Sequence, residues 1–185
     1  MLSDLVCCGT SSSTLLDSRF DVRLPPDDAR KYLTHRENWK AIIPGAAGGV
    51  IDDSVIDRAV IDRRQYPRAW TLTSSSYSYL FSNIVVSDVG AAGLCYDVRV
   101  RGVASGLPID FSLHVEYTFD PLPDGCRIRR HVQDLVVHRL RCILGGAIES
   151  RLRKGLAKEN ATMVELMNSA SRTVAYDRPY MEKRL

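Results

Sequence analysis

The sequence predicts an α+β domain: a curved antiparallel sheet of six to seven strands closing on one long C-terminal helix, with short helices after the first strand. Three observations carry that prediction. Ile109, Phe111, Leu113, Val115, Tyr117 and Phe119 alternate with Asp110, Ser112, His114, Glu116 and Thr118, the period of two that gives a strand one buried and one wet face. Pro121, Pro123, Asp124 and Gly125 then supply a reversal into a second run, 126–137, so the two read as a hairpin. From residue 144 to 170, Leu144, Ile148, Leu152, Leu156, Met163 and Met167 recur mainly at i+4, with Ala147, Val164 and Ala170 alongside. That helix spans ~40 Å at 1.5 Å per residue. It is matched in length to a strand of about a dozen residues at ~3.3 Å each.

The remaining elements follow in order. Residues 1–14 are Ser-rich and unpatterned, and 1–17 are expected to form a flexible N-terminus. Residues 19–24 alternate as a first strand. Pro25 and Pro26 with Asp27 and Asp28 suit a helix N-terminus, and a short helix should carry Ala29, Tyr32 and Leu33 to about His35. Pro44 and Gly45 mark a turn. The pairs Val50-Ile51, Val55-Ile56 and Val60-Ile61 recur every five residues, which matches no solenoid period, and β-branched pairs suit strands. A helix over 54–64 is the alternative. Further strands are expected at 68–75, around 81–88 and at 94–101, with a bulge or turn at Ser74, Ser75 and Ser76, and reversals at 90–93 and 102–108. The folded domain is placed at 18–170 and a flexible tail at 171–185.

Composition bounds the function. With 45% hydrophobic residues and 25 Lys plus Arg against 22 Asp plus Glu, the chain can bury one core and gives no whole-molecule field of the kind a nucleic-acid partner requires. The weakly polar stretch 41–51 is interrupted by Pro44 and glycines and is shorter than the ~20 apolar residues a membrane span needs. Five cysteines without Cys-x-x-Cys spacing, and no signal-peptide pattern, point to a reducing, cytoplasmic setting. Cys7-Cys8 behind Leu5-Val6 could accept an acyl chain, and Lys183, Arg184 and Leu185 loosely resemble a peroxisomal address; an ordinary frayed end is the reading adopted for both.

No phosphate loop, dinucleotide fingerprint, zinc-protease helix or nucleophile elbow occurs. The four histidines have no ligand spacing with the cysteines, so neither a metal nor another cofactor is expected. Asp110, Ser112 and His114 share one strand face, but it is the polar face and successive members lie ~6.6 Å apart, so they are not read as a catalytic triad. Arg130 and Asp134 share the parity of Ile128, Val132 and Val136 and should therefore face inward, where each needs a partner. At ~13 Å apart they cannot satisfy each other. A ligand head group meets Arg130 in one reading; a bulge or an ion pair elsewhere removes the problem in the other. Gly155, in the helix interior, costs about 1 kcal/mol relative to alanine. That cost calls for either close contact with the sheet or cavity space beneath the helix.

Phe20 to Ala29, Asn38-Trp39, Ile43-Pro44-Gly45, the Tyr117 to Gly125 hairpin and Ile143 to Glu149 together resemble the START-like superfamily. This group includes birch-pollen-allergen relatives, polyketide cyclases and lipid carriers, and the likeness covers roughly residues 18–170, nearest to an uncharacterised branch. The resemblance implies the helix-grip fold and a cavity between sheet and C-terminal helix. Its lining candidates here are Trp39, Tyr96, Val98, Phe111, Leu113, Val115, Tyr117, Arg130, Asp134, Leu144, Ile148, Leu152 and Leu156. The expected function is binding or transfer of a small hydrophobic ligand: lipid, sterol, isoprenoid or polyketide-like. The alternatives are a cyclase or aromatase in which Arg130, Asp134 or a tyrosine moves protons, and a chaperone-regulating interaction module using Arg127, Arg129, Arg139, Arg141, Arg151 and Arg153. The same basic residues could instead touch anionic lipid headgroups transiently.

Overall fold

The computed structural model describes residues 14–52, 69–87, 93–104, 106–138 and 141–181, and of residues 83, 85–87, 104, 141–145, 147–148 and 172–181 the backbone alone. The Val55-Ile56 and Val60-Ile61 repeats, the alternative helix over 54–64, Cys7-Cys8, Arg139 and the last four residues lie outside the described residues.

Chain order is β1 (Leu16–Val22), α1 (Pro26–Thr34), α2 (Asn38–Ile42), β2 (Val50–Asp52), β3 (Trp70–Thr73), β4 (Tyr77–Ser87), β5 (Gly93–Ala104), β6 (Leu107–Leu122), β7 (Gly125–Val137) and α3 (Arg141–Met181). The seven strands form one antiparallel sheet in the order β1-β7-β6-β5-β4-β3-β2. This is the helix-grip arrangement expected from the sequence. The helix α1 starts on Pro26, with Asp27 and Asp28 in its first turn, where a missing N–H costs nothing and acidic groups oppose the helix dipole. It leads into α2 through a corner that the side chains close, Trp39 Nε1 donating to the Leu33 carbonyl at 2.8 Å and Asn38 Nδ2 to that of Tyr32 at 2.7 Å.

The β6–β7 hairpin turns where expected. Gly125 has φ 151°, and a Cβ there would collide with the Val22 carbonyl of the neighbouring strand, so only glycine fits. Two irregularities bend the sheet. One residue is inserted in β4 between Ser82 and Val85, and one in β7 opposite Ser112 and His114. Such bulges kink a strand and increase its twist, which lets the sheet wrap around a helix.

The folded region exceeds the expected bounds at both ends. Leu15 is buried and β1 begins at Leu16, inside the segment expected to be flexible. The helix α3 continues past residue 170 to Met181, so 171–181 is helical. Among the described residues no helix is long and apolar enough to cross a membrane.

Candidate functional site

The concave face of the sheet is built in rows set by strand register. Tyr79, Val100 and Phe111 lie side by side, as do Phe81, Val98 and Leu113; then come Tyr96, Val115 and Val132, and finally Leu94, Tyr117 and Arg130. The aromatic members form a chain of ring contacts. Trp70 stacks on Phe81 at 4.0 Å, Trp39 lies 5.3 Å from Phe81 and edge-on to Tyr96 at 5.7 Å, and Tyr96 continues to Tyr117 at 6.0 Å. Below them α3 contributes Leu152, Leu156, Met163 and Met167. Met163 and Met167 are fully buried.

Space remains between the sheet and the N-terminal half of this packed helix face. A cavity of about 280 Å³ is walled by Trp39, Ile43, Tyr77, Tyr79, Phe81, Tyr96, Val98, Val100, Ile109, Phe111, Leu113, Val115, Arg130, Arg151, Leu152, Leu156 and Glu159. It sits at the lower edge of the ~300–1,000 Å³ typical of small-molecule pockets.

One end of this apolar space is polar. Arg130 is only 2% exposed. Its Nη2 donates to Glu159 Oε2 at 2.8 Å, and its Nη1 donates to Asn160 Oδ1 at 2.9 Å and, at the limit of hydrogen bonding, to the Leu156 carbonyl at 3.5 Å. Asn160 is held in turn by donating to Ser18 Oγ at 2.8 Å, which ties α3 to β1. The guanidinium carbon lies 5.7 Å from the centre of the Tyr117 ring, and the Tyr117 and Tyr96 hydroxyls are 3.3 Å apart. Burial pushes the arginine toward losing its proton, but Tyr117, Glu159 and Tyr96 outweigh it and its pKa is raised. Burial raises both Tyr96 and Tyr117, for Tyr96 well above the ordinary phenol value. Tyr79, desolvated and near Glu159 and Tyr77, is pushed up to about 12. All three phenols are therefore protonated hydrogen-bond donors near neutral pH.

Of the residues expected at the site, Trp39, Tyr96, Val98, Phe111, Leu113, Val115, Arg130, Leu152 and Leu156 line the cavity. Tyr117 is buried behind it and reaches it through the Tyr96 hydroxyl. The side chains of Leu144 and Ile148 lie outside the described residues. Asp134 is a correction. It is exposed, with φ 56°, at the β7 bulge, and beyond it the inward parity passes to Leu135 and Val137 while Val136 is left 45% exposed. The extra residue flips every later side chain, so the alternation that places Arg130 inward does not extend to Asp134. Gly155 also departs from the close-contact reading, since a Cβ built there meets no atom within 4 Å.

Ile43, Tyr77, Tyr79, Phe81, Val100, Ile109, Arg151 and Glu159 complete the wall without having been among the expected lining residues. Tyr77 and Tyr79 were hidden by the adjacent serine run, because β4 starts immediately after it. Glu159 had a legible signal. The apolar stripe skips from Leu156 to Met163, and Glu159 with Asn160 fills that gap on the inward face.

The other polar constellations are spent elsewhere. Asp110 forms a two-pronged pair with Arg99 at 2.9 Å, His114 meets Asp97 at 2.7 Å and Glu116 at 3.3 Å, and Ser112 meets His138 at 3.1 Å, so the three residues of the apparent triad turn to separate partners. Among the outer-face arginines, Arg127 pairs with Asp21 at 2.8 Å, Arg129 with Asp17 at 2.7 Å and Arg153 with Glu149 at 2.7 Å. This pairing offsets much of the positive charge that a basic interaction surface would need. Among the described residues no group of three His, Cys, Asp or Glu side chains is placed to hold a metal ion.

No family model matches the sequence, and no curated protein matches it. Solved structures do. A conserved protein from Geobacillus kaustophilus aligns over 83% of this chain and 95% of its own, with 11% identity and a TM-score of 0.56. A protein from Chromobacterium violaceum aligns over 83% and 96%, with 11% identity and a TM-score of 0.52. One from Mesorhizobium loti covers 85% and 98%, with 14% identity and a TM-score of 0.50. At such identities the likeness establishes architecture, and the chain has the helix-grip fold over nearly the full length of these bacterial proteins.

Proposed function

We propose that this protein binds and carries a small, largely apolar molecule in the space between sheet and α3. The observation that carries the reading is the cavity itself, walled by aromatic and aliphatic side chains with one buried, hydrogen-bonded arginine at its end. Each methylene group taken from water into such a space contributes about 0.8 kcal/mol, and a few fixed polar groups orient the guest. The volume favours an isoprenoid-sized or short-chain molecule over one the size of a complete sterol, unless the guest protrudes through the mouth.

Carriage is favoured over catalysis by the chemistry of the wall. Among the described residues it contains no histidine or cysteine, its one carboxylate is engaged with Arg130, and Tyr79 and Tyr96 hold their protons too tightly to act as bases near neutral pH. Native mass spectrometry after exposure to a lipid extract, together with quenching of Trp39 fluorescence, tests the proposal. A bound mass is expected, to be lost in Val98→Phe, where the larger ring occupies the cavity while the protein stays folded. Empty wild-type protein that takes up no apolar probe would refute it.

A further inference from the structure

One hairpin outruns its neighbours in the sheet. The strand β4 begins at Tyr77, level with Gly102, and β7 ends at Val137, level with Phe111. Residues 103–108 of β5 and β6 extend past both and pair in the ladder only with each other, Val103 with Pro108 and Ala104 with Leu107, around a turn in which Gly106 takes φ 78°. The last ties at its base are the Val103 N–H to the Ser76 carbonyl at 3.2 Å and the His138 N–H to the Asp110 carbonyl at 2.8 Å.

This tongue carries apolar side chains in water. Val103 is 54% exposed and Leu107 46%, and Pro108 is exposed as well. Strand alternation puts the first two on opposite faces. Leu107 has the parity of Ile109 and Phe111, which line the cavity, whereas Val103 has the parity of Arg99 and Arg101, which meet Asp110 on the outer face. A protein partner laid on the sheet would cover one face of the tongue and leave the other wet. A hydrocarbon layer that the tip enters covers both.

The base of the tongue is basic. Arg99, Arg101, Asp110 and His138 line a surface hollow on its outer side, beside Pro108. Asp110, its side chain 14% exposed, is held by Arg99 at 2.9 Å and by Arg101 at 3.5 Å, so two cations share one shielded anion and the Arg101 side chain stays 62% exposed. Arg127 and Arg129, by contrast, each have an aspartate to themselves. Apolar tip ahead of cationic base is the layering of an anionic bilayer seen from the protein, hydrocarbon beneath a plane of phosphates.

Position adds a third observation. The cavity wall reaches the tongue through Tyr77, which pairs with Gly102, and through Ile109, which follows Leu107 on the same face. Arg151 of the wall is exposed, whereas Arg130 at the far end is 2% exposed. A tip seated in a membrane therefore holds the open end of the cavity against it.

We infer that the 103–108 hairpin is a docking tip for an anionic lipid surface, with Val103 and Leu107 entering the hydrocarbon and Arg99 and Arg101 meeting phosphate headgroups. Docking goes beyond guest binding and is measured without a guest.

Flotation with vesicles of phosphatidylcholine alone, and of phosphatidylcholine mixed with phosphatidylglycerol, tests it. Wild-type protein should bind the mixed vesicles and bind the neutral ones far more weakly. Val103→Ser/Leu107→Ser should bind the mixed vesicles about tenfold less, as expected for two half-exposed apolar side chains. Arg101→Gln should bind them about fivefold less, the worth of one basic residue at an anionic surface. Leu107→Trp should shift its emission to the blue when mixed vesicles are added, against Trp39 and Trp70, which are already buried. Because these substitutions fall on exposed side chains outside the cavity wall, guest uptake by native mass spectrometry should be unchanged in all of them, and a protein that docks as described but takes up no guest counts against carriage alone. Three results would overturn the inference: wild-type protein that ignores mixed vesicles, undiminished binding by the double-serine variant, or a wild-type dimer in light scattering that the double-serine variant abolishes, which would make the tongue an interface between two copies of the chain.

Discussion

Replacing Glu159 by glutamine isolates the electrostatics of the site. The substitution keeps size and one hydrogen-bonding oxygen but removes the counter-charge from a guanidinium whose side chain is 3% exposed. Breaking a buried ion pair by neutralising one partner costs about 3–5 kcal/mol. Asn160 and the Leu156 carbonyl still accept from Nη1 and the new amide oxygen can accept from Nη2, which brings the expected loss to about 2–3 kcal/mol. An arginine cannot escape by losing its proton, because its pKa lies too high. For a chain of this size, 1 kcal/mol moves Tm by about 2–4 °C, so Glu159→Gln should lower Tm by roughly 5–10 °C. Differential scanning calorimetry and urea titration on the same samples would measure it. The comparison that gives the number meaning is Arg130→Met/Glu159→Met. Exchanging a whole buried pair for apolar side chains is often neutral or stabilising, and the double variant should recover to within about 1 kcal/mol of wild type. If Glu159→Gln is within about 0.5 kcal/mol of wild type, or the double variant is as unstable as the single, Arg130 is not a buried charge dependent on Glu159.

Other expectations are simpler. Gly155→Ala should raise stability by about 0.5–1 kcal/mol in a urea titration, because the helix gains propensity and the added methyl meets nothing within 4 Å; a loss would show that the position is crowded. Asp134 sits at φ 56°, so Asp134→Gly should be tolerated while Asp134→Val costs about 1–2 kcal/mol, read from chemical denaturation. Burial lowers the His114 pKa, but the hydrogen bonds and charges of Asp97 and Glu116 outweigh it and raise the pKa above the ordinary imidazole value of 6.5. Its contribution to stability is then fully present below pH 6.5 and fades as pH rises through the higher folded value. The effect should be at most about 1 kcal/mol for a part-exposed pair, and Asp97→Asn should flatten the stability profile between pH 6 and 8. The paired carboxylates Asp17, Asp21 and Asp110 are held below the ordinary aspartate value of 3.8, chiefly by hydrogen bonds from Arg129, Arg127 and Arg99, so their contribution is lost only as pH falls through those depressed values.

Much of the architecture could be read from patterns that report burial. The alternation from Ile109 to Phe119 placed β6 with the correct face inward, and the Leu152, Leu156, Met163 and Met167 stripe placed α3 beneath it. The limits of that reading follow from the same physics. Alternation is a parity rule, and one inserted residue reverses it. On β7 this happens between Val132, fully buried, and Val136, 45% exposed, and nothing in the residue types announces it except an aspartate, one of the few side chains that tolerate a left-handed backbone. The cavity volume is set by curvature and by how far α3 stands from the sheet, and residue types do not encode either quantity locally.

The position of the bulge bears on the site as well as on the reading. Because it lies beyond Arg130 and Val132, the first half of β7 keeps its parity and delivers the arginine to the Tyr117 row, directly over the stretch of α3 that carries Glu159 and Asn160. Had the extra residue fallen before position 130, the guanidinium would sit on the outer face beside Arg127 and Arg129, where Asp17 and Asp21 hold their partners in water. A regular β7, by contrast, would bring Asp134 inward four residues from Arg130, ~13 Å away and too far to pair with it. The bulge therefore keeps one buried charge where α3 can neutralise it and returns the second to solvent. This arrangement leaves a buried, mutually neutralising ion pair at the polar end of the cavity.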